Sequence, residues 1–403
     1  VLGVGSHGPL GPAPAPPSPV VDRDERLAWL AMASVVRLEP PAYFALVKAH
    51  GSARAVLAAA RRGGAALAAP GVNDASSLAA LLATATERVE AIDREVARLG
   101  LAVVTVDDAG YPARLRRIDL APPVLLVHGD VGSLEAERSV AVVGTRRPTE
   151  AGRLTAARIG GALARTGTVV VSGLAVGIDG AAHAASVASG APTIAVIAGG
   201  HDRVYPMAHQ RLAREIVAAG GAIVSEMTPG TPPRGAYFIR RNRLIAGLAD
   251  ATVVVEAGVR SGALATARWA LEQGRECFLV PGPIDEPASS GCLAFLRRNP
   301  GATRIVAGVS ELLDDLGIVE AERGPRAERV ATVVQAELGR TEAAVARQMA
   351  RGRTSVDEIS LAAGLPVATV LGALTMLEMR GMVAGVYGRY RLTGRLAAAP
   401  DRG

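Results

Sequence analysis

Short apolar runs alternating with amphipathic stretches dominate the middle of the chain. Between Ser139 and about Val309, runs at 140–143, 168–172, 193–197, 222–225, 251–255 and 277–280 are each separated by longer segments whose apolar residues recur on a helical repeat. Runs this short and this uniformly apolar suit strands buried on both faces of a parallel sheet. The 3.6-residue repeat between them supplies crossover helices. The pattern predicts an α/β fold, a Rossmann-like parallel sheet core covered by helices. Ahead of it, residues 23–100 read as an Ala-rich helical domain. Leu27, Leu30, Met32 and Val35 open it, Val89, Ile92 and Val96 share one face of its last helix, and Gly51-Ser52 and Pro70-Gly71 mark turns. Strands at 102–106 and 124–127 lead into the sheet, so that 101–317 forms one domain. The chain then becomes charged and Ala-rich over 318–353, as in a linker with some helix. In the last module, 354–395, Ser355-Val356-Asp357-Glu358 is a capping box. A turn at Gly364-Leu365-Pro366, a helix over 367–380 and a hairpin of 382–386 with 389–392 complete a winged-helix pattern. Residues 1–22 and 396–403 read as tails.

Composition narrows the classes. Of 403 residues 49% are hydrophobic, yet no run of about 20 escapes charge, Gly or Pro, so no membrane span is expected. The Pro/Gly-rich start lacks a basic n-region and a continuous apolar h-region, which predicts a disordered tail instead of a signal peptide and a cytoplasmic location. Cys277 and Cys292 form neither a CxxC pair nor a zinc pattern. They are expected to be reduced thiols, with no metal and no cofactor implied. The formal charge is +6, and Lys48 is the only lysine among 44 basic residues. Arginine position is therefore more informative than arginine number.

Position points to the carboxyl edge of the sheet, where open parallel sheets bind ligands. Arg240-Arg241-Asn242-Arg243 falls where a helix running to about Leu248 is expected to begin. Cations there oppose the helix macrodipole. A bound polyanion resolves the conflict, meeting the free N–H groups and the guanidinium forks together. The first strand ends in Gly144-Thr145-Arg146-Arg147-Pro148 and the second in Ser172-Gly173-Leu174-Ala175-Val176-Gly177. The fourth leads through Arg234 to Tyr237 and Phe238, and the fifth ends in Gly258-Val259-Arg260-Ser261-Gly262. Glycines let backbone N–H groups approach phosphates, and arginines bind a nucleic-acid backbone whatever its sequence. Phe238 either stacks an unpaired base or packs in the core. Two catalytic readings stand beside this one. Ser172, Asp179 and His183 have the residue types of a hydrolytic triad but no GxSxG elbow, and Asp179 with His183 can equally be an intrahelical pair. Glu226 and Glu256 end the fourth and fifth strands and can serve a hydrolase or simply fix loops. The second helix of the winged module, 367–379, carries no Arg, Lys, Asn or Gln. It lacks the side chains that read a major groove.

The loops resemble those of the bacterial DNA-processing protein A (DprA/Smf) family. The resemblance rests on Val142-Val143-Gly144-Thr145-Arg146-Arg147-Pro148, Ser172-Gly173-Leu174-Ala175 with Gly177-Ile178-Asp179, Tyr205-Pro206, Arg241-Asn242-Arg243, Val254-Val255-Glu256-Ala257 and Glu272-Gln273-Gly274-Arg275-Glu276. The motif departs at Ile239, where the family usually has Pro. The helical, SAM-like front and the winged-helix end match the longer members. The resemblance implies a non-enzymatic, sequence-independent single-stranded DNA-binding protein. Such proteins protect incoming DNA and promote RecA recombinase loading in natural transformation and recombination, as homodimers through the Rossmann-like domain. Carried onto this chain, the DNA-binding set is Gly144, Arg146, Arg147, Ser172, Gly173, Gly177, Arg234, Phe238, Arg240, Arg241, Asn242, Arg243, Arg260 and Ser261. The rival is a nucleotide-processing enzyme, a LOG-like phosphoribohydrolase, on a related fold. Its PGGxGTxxE signature is absent from 256–262.

Overall fold

The apolar runs become strands because each is buried along nearly its whole length. In the computed structural model, which describes residues 22–318, 338–350, 353–386 and 389–393, the chain divides into two compact units parted between residues 316 and 317. In the first, β1 (Ala102–Thr105), β2 (Val124–Gly129), β3 (Ser139–Val143), β4 (Val169–Ser172), β5 (Thr193–Val196), β6 (Ala222–Ser225), β7 (Ala251–Val254), β8 (Glu276–Leu279) and β9 (Arg304–Ile305) form one sheet. Its order is β1-β2-β6-β5-β4-β3-β7-β8-β9. The β6-to-β9 portion is parallel throughout, whereas β2 pairs antiparallel with both β1 and β6. The order reverses between β3 and β7. That switch point opens a crevice outside the carboxyl ends of the strands, which is where the arginine-rich loops emerge.

The helices preceding the sheet are α1 (Arg23–Ser34), α2 (Pro40–His50), α3 (Ala53–Arg61), α4 (Gly64–Leu67) and α5 (Ala75–Arg98), with α6 (Ala113–Arg116) between β1 and β2. Trp29 stacks on Tyr43 with ring centroids 5.3 Å apart, and the Tyr43 hydroxyl donates to the Trp29 carbonyl at 3.0 Å. This helical core includes Val124 and Leu126 of β2, while Leu125 and Val127 face the core of the sheet. The period-2 alternation of a strand thus assigns β2 to two cores at once. Crossover helices α7 (Glu150–Arg165), α8 (Ile178–Ala188), α9 (Gln210–Ala218), α10 (Gly235–Gly247) and α11 (Ala263–Glu272) cover the sheet, followed by α12 (Ser290–Arg298) and α13 (Val309–Asp315).

The second unit holds helices Arg340–Ala350, Val356–Ala363 and Val367–Met379 and an antiparallel hairpin of Val383–Val386 with Arg389–Leu392. Ser355 and Glu358 form the expected capping box. The first of these helices lies in the stretch read from sequence as linker. Its Ala343, Val345, Ala346 and Met349 are buried in the core of the module, so the winged-helix unit starts earlier than its capping box. The expected tails fall outside the described residues apart from Asp22, as do Tyr387 and Gly388. No single described helix is long and apolar enough to cross a membrane.

Candidate nucleic-acid interface

Two buried carboxylates brace the loops at the carboxyl edge. Asp179, in the first turn of α8, accepts the Gly173 N–H at 3.1 Å and also hydrogen-bonds the backbones of Ala175 and Gly144. It therefore ties the loops after β3 and β4 together. Burial raises its pKa, and Arg241 and the three N–H groups only partly offset this. Glu256, at the end of β7, accepts from the Thr149 N–H at 2.9 Å and the Thr149 hydroxyl at 2.5 Å, and its carbonyl takes the Thr145 N–H at 2.7 Å. Gly177 has φ +91°, and a Cβ there would stand 2.5 Å from the Thr145 carbonyl oxygen, so this crossing of the two loops admits only glycine.

The arginine-rich segment does not begin a helix. α10 begins at Gly235, more than a turn before Arg240, so the guanidiniums lie in the helix interior and the macrodipole conflict disappears. Gly235-Ala236-Tyr237-Phe238 offers no capping side chain to mark this start. Ile239 supplies a backbone N–H that a proline would lack, which lets the helix continue through that position.

Within α10 the arginines separate. Arg241, 5% exposed, donates through Nη1 to the Gly173 carbonyl at 2.9 Å and to the Val196 carbonyl. Burial brings its pKa down to about 10, with Asp179 pulling it up and Arg146 pushing it down further, so it stays cationic at neutral pH. Phe238 sits beside it, half-buried. The Arg146 guanidinium carbon lies 5.1 Å from the Phe238 ring centroid and that of Arg241 lies 5.9 Å away. Tyr205 meets the same ring edge-on, with centroids 5.7 Å apart and an interplanar angle of 68°. Phe238, Tyr205 and Arg241 line a narrow cleft together with Gly173, Ala198, Gly199, Arg203 and Pro233. Asn242 fastens the β7 loop, donating to the Gly262 carbonyl at 3.0 Å.

Arg243 and Arg240 turn elsewhere. Arg243, 1% exposed, grips both Glu226 oxygens at 2.9 and 2.6 Å and donates to the Leu120 carbonyl at 2.9 Å. Arg240 reaches Glu226 at 3.1 Å, Glu39 at 3.2 Å and the Val36 carbonyl at 3.3 Å. Arg243 leaves the set of surface contacts expected from sequence, because its guanidinium is enclosed and committed to a carboxylate. Ser172 leaves it too: its side chain is fully buried, and its hydroxyl donates to the Val142 carbonyl at 2.6 Å. Arg146, Arg147, Arg234 and Arg260 are exposed on the edge loops, and Ser261 is half-buried beside Arg260. Gly144 and Gly177 serve as loop crossings.

The catalytic arrangements come apart. His183 bonds Thr193 at 2.8 Å and not Asp179, and burial, with repulsion from His209 and Arg241, drives its pKa down to about 3. Burial alone would raise the Glu226 pKa, but Arg243 and Arg240 outweigh it and hold the carboxyl below its usual range. Both Glu226 and Glu256 are engaged in holding structure. Among the described residues no cluster of His, Cys, Asp or Glu has the makings of a metal site.

The DNA-binding set expected from sequence includes no residue of the β5 loop, although Tyr205-Pro206 carries part of the resemblance; this loop contributes Arg203 and Tyr205 to the cleft. Ala198-Gly199-Gly200 directly after a strand, followed by Arg and Tyr, was the available signal.

Comparison with known proteins shows the family of the chain. The sequence profile described as DNA recombination-mediator protein A matches residues 102–317, and that of the DprA winged helix domain matches residues 330–389. A putative DNA processing protein DprA of Mycobacterium tuberculosis is 38% identical over 307 residues, covering 73% of this chain and 78% of the relative. Protein Smf of Escherichia coli K12 is 36% identical over 290 residues, covering 72% and 76%. The X-ray structure of DNA processing protein A from Streptococcus pneumoniae superposes with a TM-score of 0.60 at 28% identity, covering 72% of this chain and 97% of that one. The match spans the sheet, the loops that shape the cleft and the winged module, and the chain belongs to the DNA recombination-mediator protein A (DprA/Smf) family.

Proposed function

We propose that this chain binds single-stranded DNA without regard to sequence across the carboxyl edge of its sheet. It protects the strand and promotes loading of a RecA recombinase, acting as a homodimer and without catalysing a reaction. One observation carries the reading: the guanidiniums of Arg146 and Arg241 lie 5.1 and 5.9 Å from the Phe238 ring centroid, and Phe238 and Arg241 line one cleft with Gly173 and Gly199. The cations neutralise phosphates, and aromatic faces accept any unpaired base. A duplex keeps its bases stacked inside, so an aromatic cleft favours single strands. None of the cleft side chains is an amide that would pair bidentately with adenine. The recombination-mediator role accords with the family. The hydrolase alternative lacks support, since its carboxylates and its candidate triad are occupied by internal bonds.

Fluorescence anisotropy with a labelled oligonucleotide and its duplex, across a salt series, tests the reading in wild type and Arg146→Ala. Arg146 is the better probe than Arg241, because it is exposed and its loss leaves no buried charge unpaired. Single-strand preference that weakens in the variant, with the slope of log K against log salt reduced by about 0.7, supports the reading. Equal affinity for duplex and single strand in the wild type sinks it. RecA filament assembly on the bound oligonucleotide and light scattering, expected at twice the 41.1 kDa chain mass, test loading and dimerisation.

A further inference from the structure

The cleft residues and the clamp residues of α10 lie on two faces of the same two turns. Phe238 and Arg241 are three residues apart, as are Arg240 and Arg243, and residues at that spacing share a helix face. Glu226, at the end of β6, reaches only the second pair, with the Arg243 contacts at 2.9 and 2.6 Å and the Arg240 contact at 3.1 Å. It is 9% exposed and makes no contact with the cleft. The far side of Arg243 is also held, by the Leu120 carbonyl, and its backbone carbonyl accepts from Gln273 at 3.0 Å. These bonds oppose a roll of the helix about its axis. A roll of about 20° would carry a group about 5 Å from the axis through nearly 2 Å, enough to part Arg241 from Gly173.

We propose that Glu226 is a positioning residue for the single-strand site: by holding Arg240 and Arg243 it fixes the roll of α10 that presents Arg241 and Phe238 to the cleft. The proposal rests on the single-strand reading above. Retention of a buried ion pair is weak evidence for a stabilising role, whereas this pair sits where it can set orientation. The sign of the effect separates the two roles. Removing a carboxylate near a polyanion site should strengthen binding by electrostatics alone. Removing a positioning group should weaken it.

The test compares wild type, Glu226→Gln, Arg243→Lys and Glu39→Gln in anisotropy titrations with a labelled single-stranded oligonucleotide, at several salt concentrations, after thermal melts confirm folding. Wild type that fails to bind ends the single-strand reading before any variant is considered. With wild type binding, Glu226→Gln is expected to raise Kd by about tenfold or more and to lower the salt slope by about 0.7 as the Arg241 contact is lost. Unchanged or tighter binding in the folded variant overturns the proposal. Arg243→Lys decides the matter if Glu226→Gln does not fold: it keeps the charge but not the two-pronged grip, so weakened binding is expected and wild-type affinity overturns the proposal. Glu39→Gln removes only the exposed partner of Arg240 and is expected to bind as wild type does. A loss equal to that of Glu226→Gln would place control in the helical region and overturn the assignment to Glu226.

Discussion

Gly173→Ala isolates the contact on which the cleft depends. A Cβ at this position would stand 2.7 Å from Arg241 Nη2 and 2.8 Å from both its Cζ and its Nη1. Ordinary contact begins at 3.4 Å, so the guanidinium must retreat by about 0.7 Å or more. It has little freedom to do so, because Nη1 is bonded to the Gly173 and Val196 carbonyls and the group is 5% exposed. Hydrogen bonds made by charged donors contribute about 1.5–3 kcal/mol each, and partial stretching of two of them should cost the fold about 1–2 kcal/mol. The backbone itself tolerates alanine, since Gly173 is not among the positive-φ residues. The larger effect falls on binding. Under the proposed function, displacing Arg241 disturbs its approach to Phe238 and weakens the phosphate contact assigned to it there; a stacked base contributes about 1–3 kcal/mol, so Kd for a single-stranded oligonucleotide should rise about tenfold to a hundredfold. Anisotropy titrations read the affinity and a thermal melt reads the fold. A folded variant with wild-type affinity would refute the claim that the Arg241–Gly173 contact belongs to the binding surface.

Other consequences follow from individual groups. Phe238→Ala should weaken single-strand binding by about 1–3 kcal/mol, or roughly fivefold to 150-fold, while barely changing the salt slope; a slope change as large as that of Arg146→Ala would mean the ring acts only by placing arginines. His183 and His201 are buried with pKa values pushed down to about 3 and about 4. Both folded values lie below the unfolded one near 6.5, so their contribution to stability is complete above pH about 6.5 and is lost as pH falls towards about 4, at up to about 1.4 kcal/mol per pH unit for each residue. Urea melts at pH 7, 5.5 and 4.5 should show this decline, and His183→Asn should flatten it; an unchanged profile in that variant would exclude His183 as a contributor. Ser355→Ala removes the capping-box hydroxyl of the winged module and should cost that unit about 1 kcal/mol, seen in its own melting transition.

Legibility followed burial. The strands β3 to β8 were readable because their apolar runs are enclosed on both faces by helices. β9 was not, because its two residues, Arg304 and Ile305, are exposed and carry no apolar pattern. The loops of the cleft could be located from topology alone, yet the fates of neighbouring arginines could not. Arg241 is set by a carbonyl 68 residues away and Arg243 by a carboxylate 17 residues away, and no local repeat encodes either partner. The early start of α10 was hidden for a related reason. No capping side chain marks Gly235, and the buried residues of the helix begin only at Arg241.

The alternation along β1 and β2 bears on what can be cut from this protein. Val103, Val124 and Leu126 belong to the helical core, while Val104, Leu125 and Val127 belong to the sheet. Truncating the chain at residue 101 would therefore not release an intact remainder. It would bare Val124 and Leu126, each worth about 1.5–3 kcal/mol in burial, along one continuous face of a hairpin. A shortened protein would carry a sticky flank prone to self-association, and its altered behaviour on DNA could be mistaken for a binding role of the missing helices.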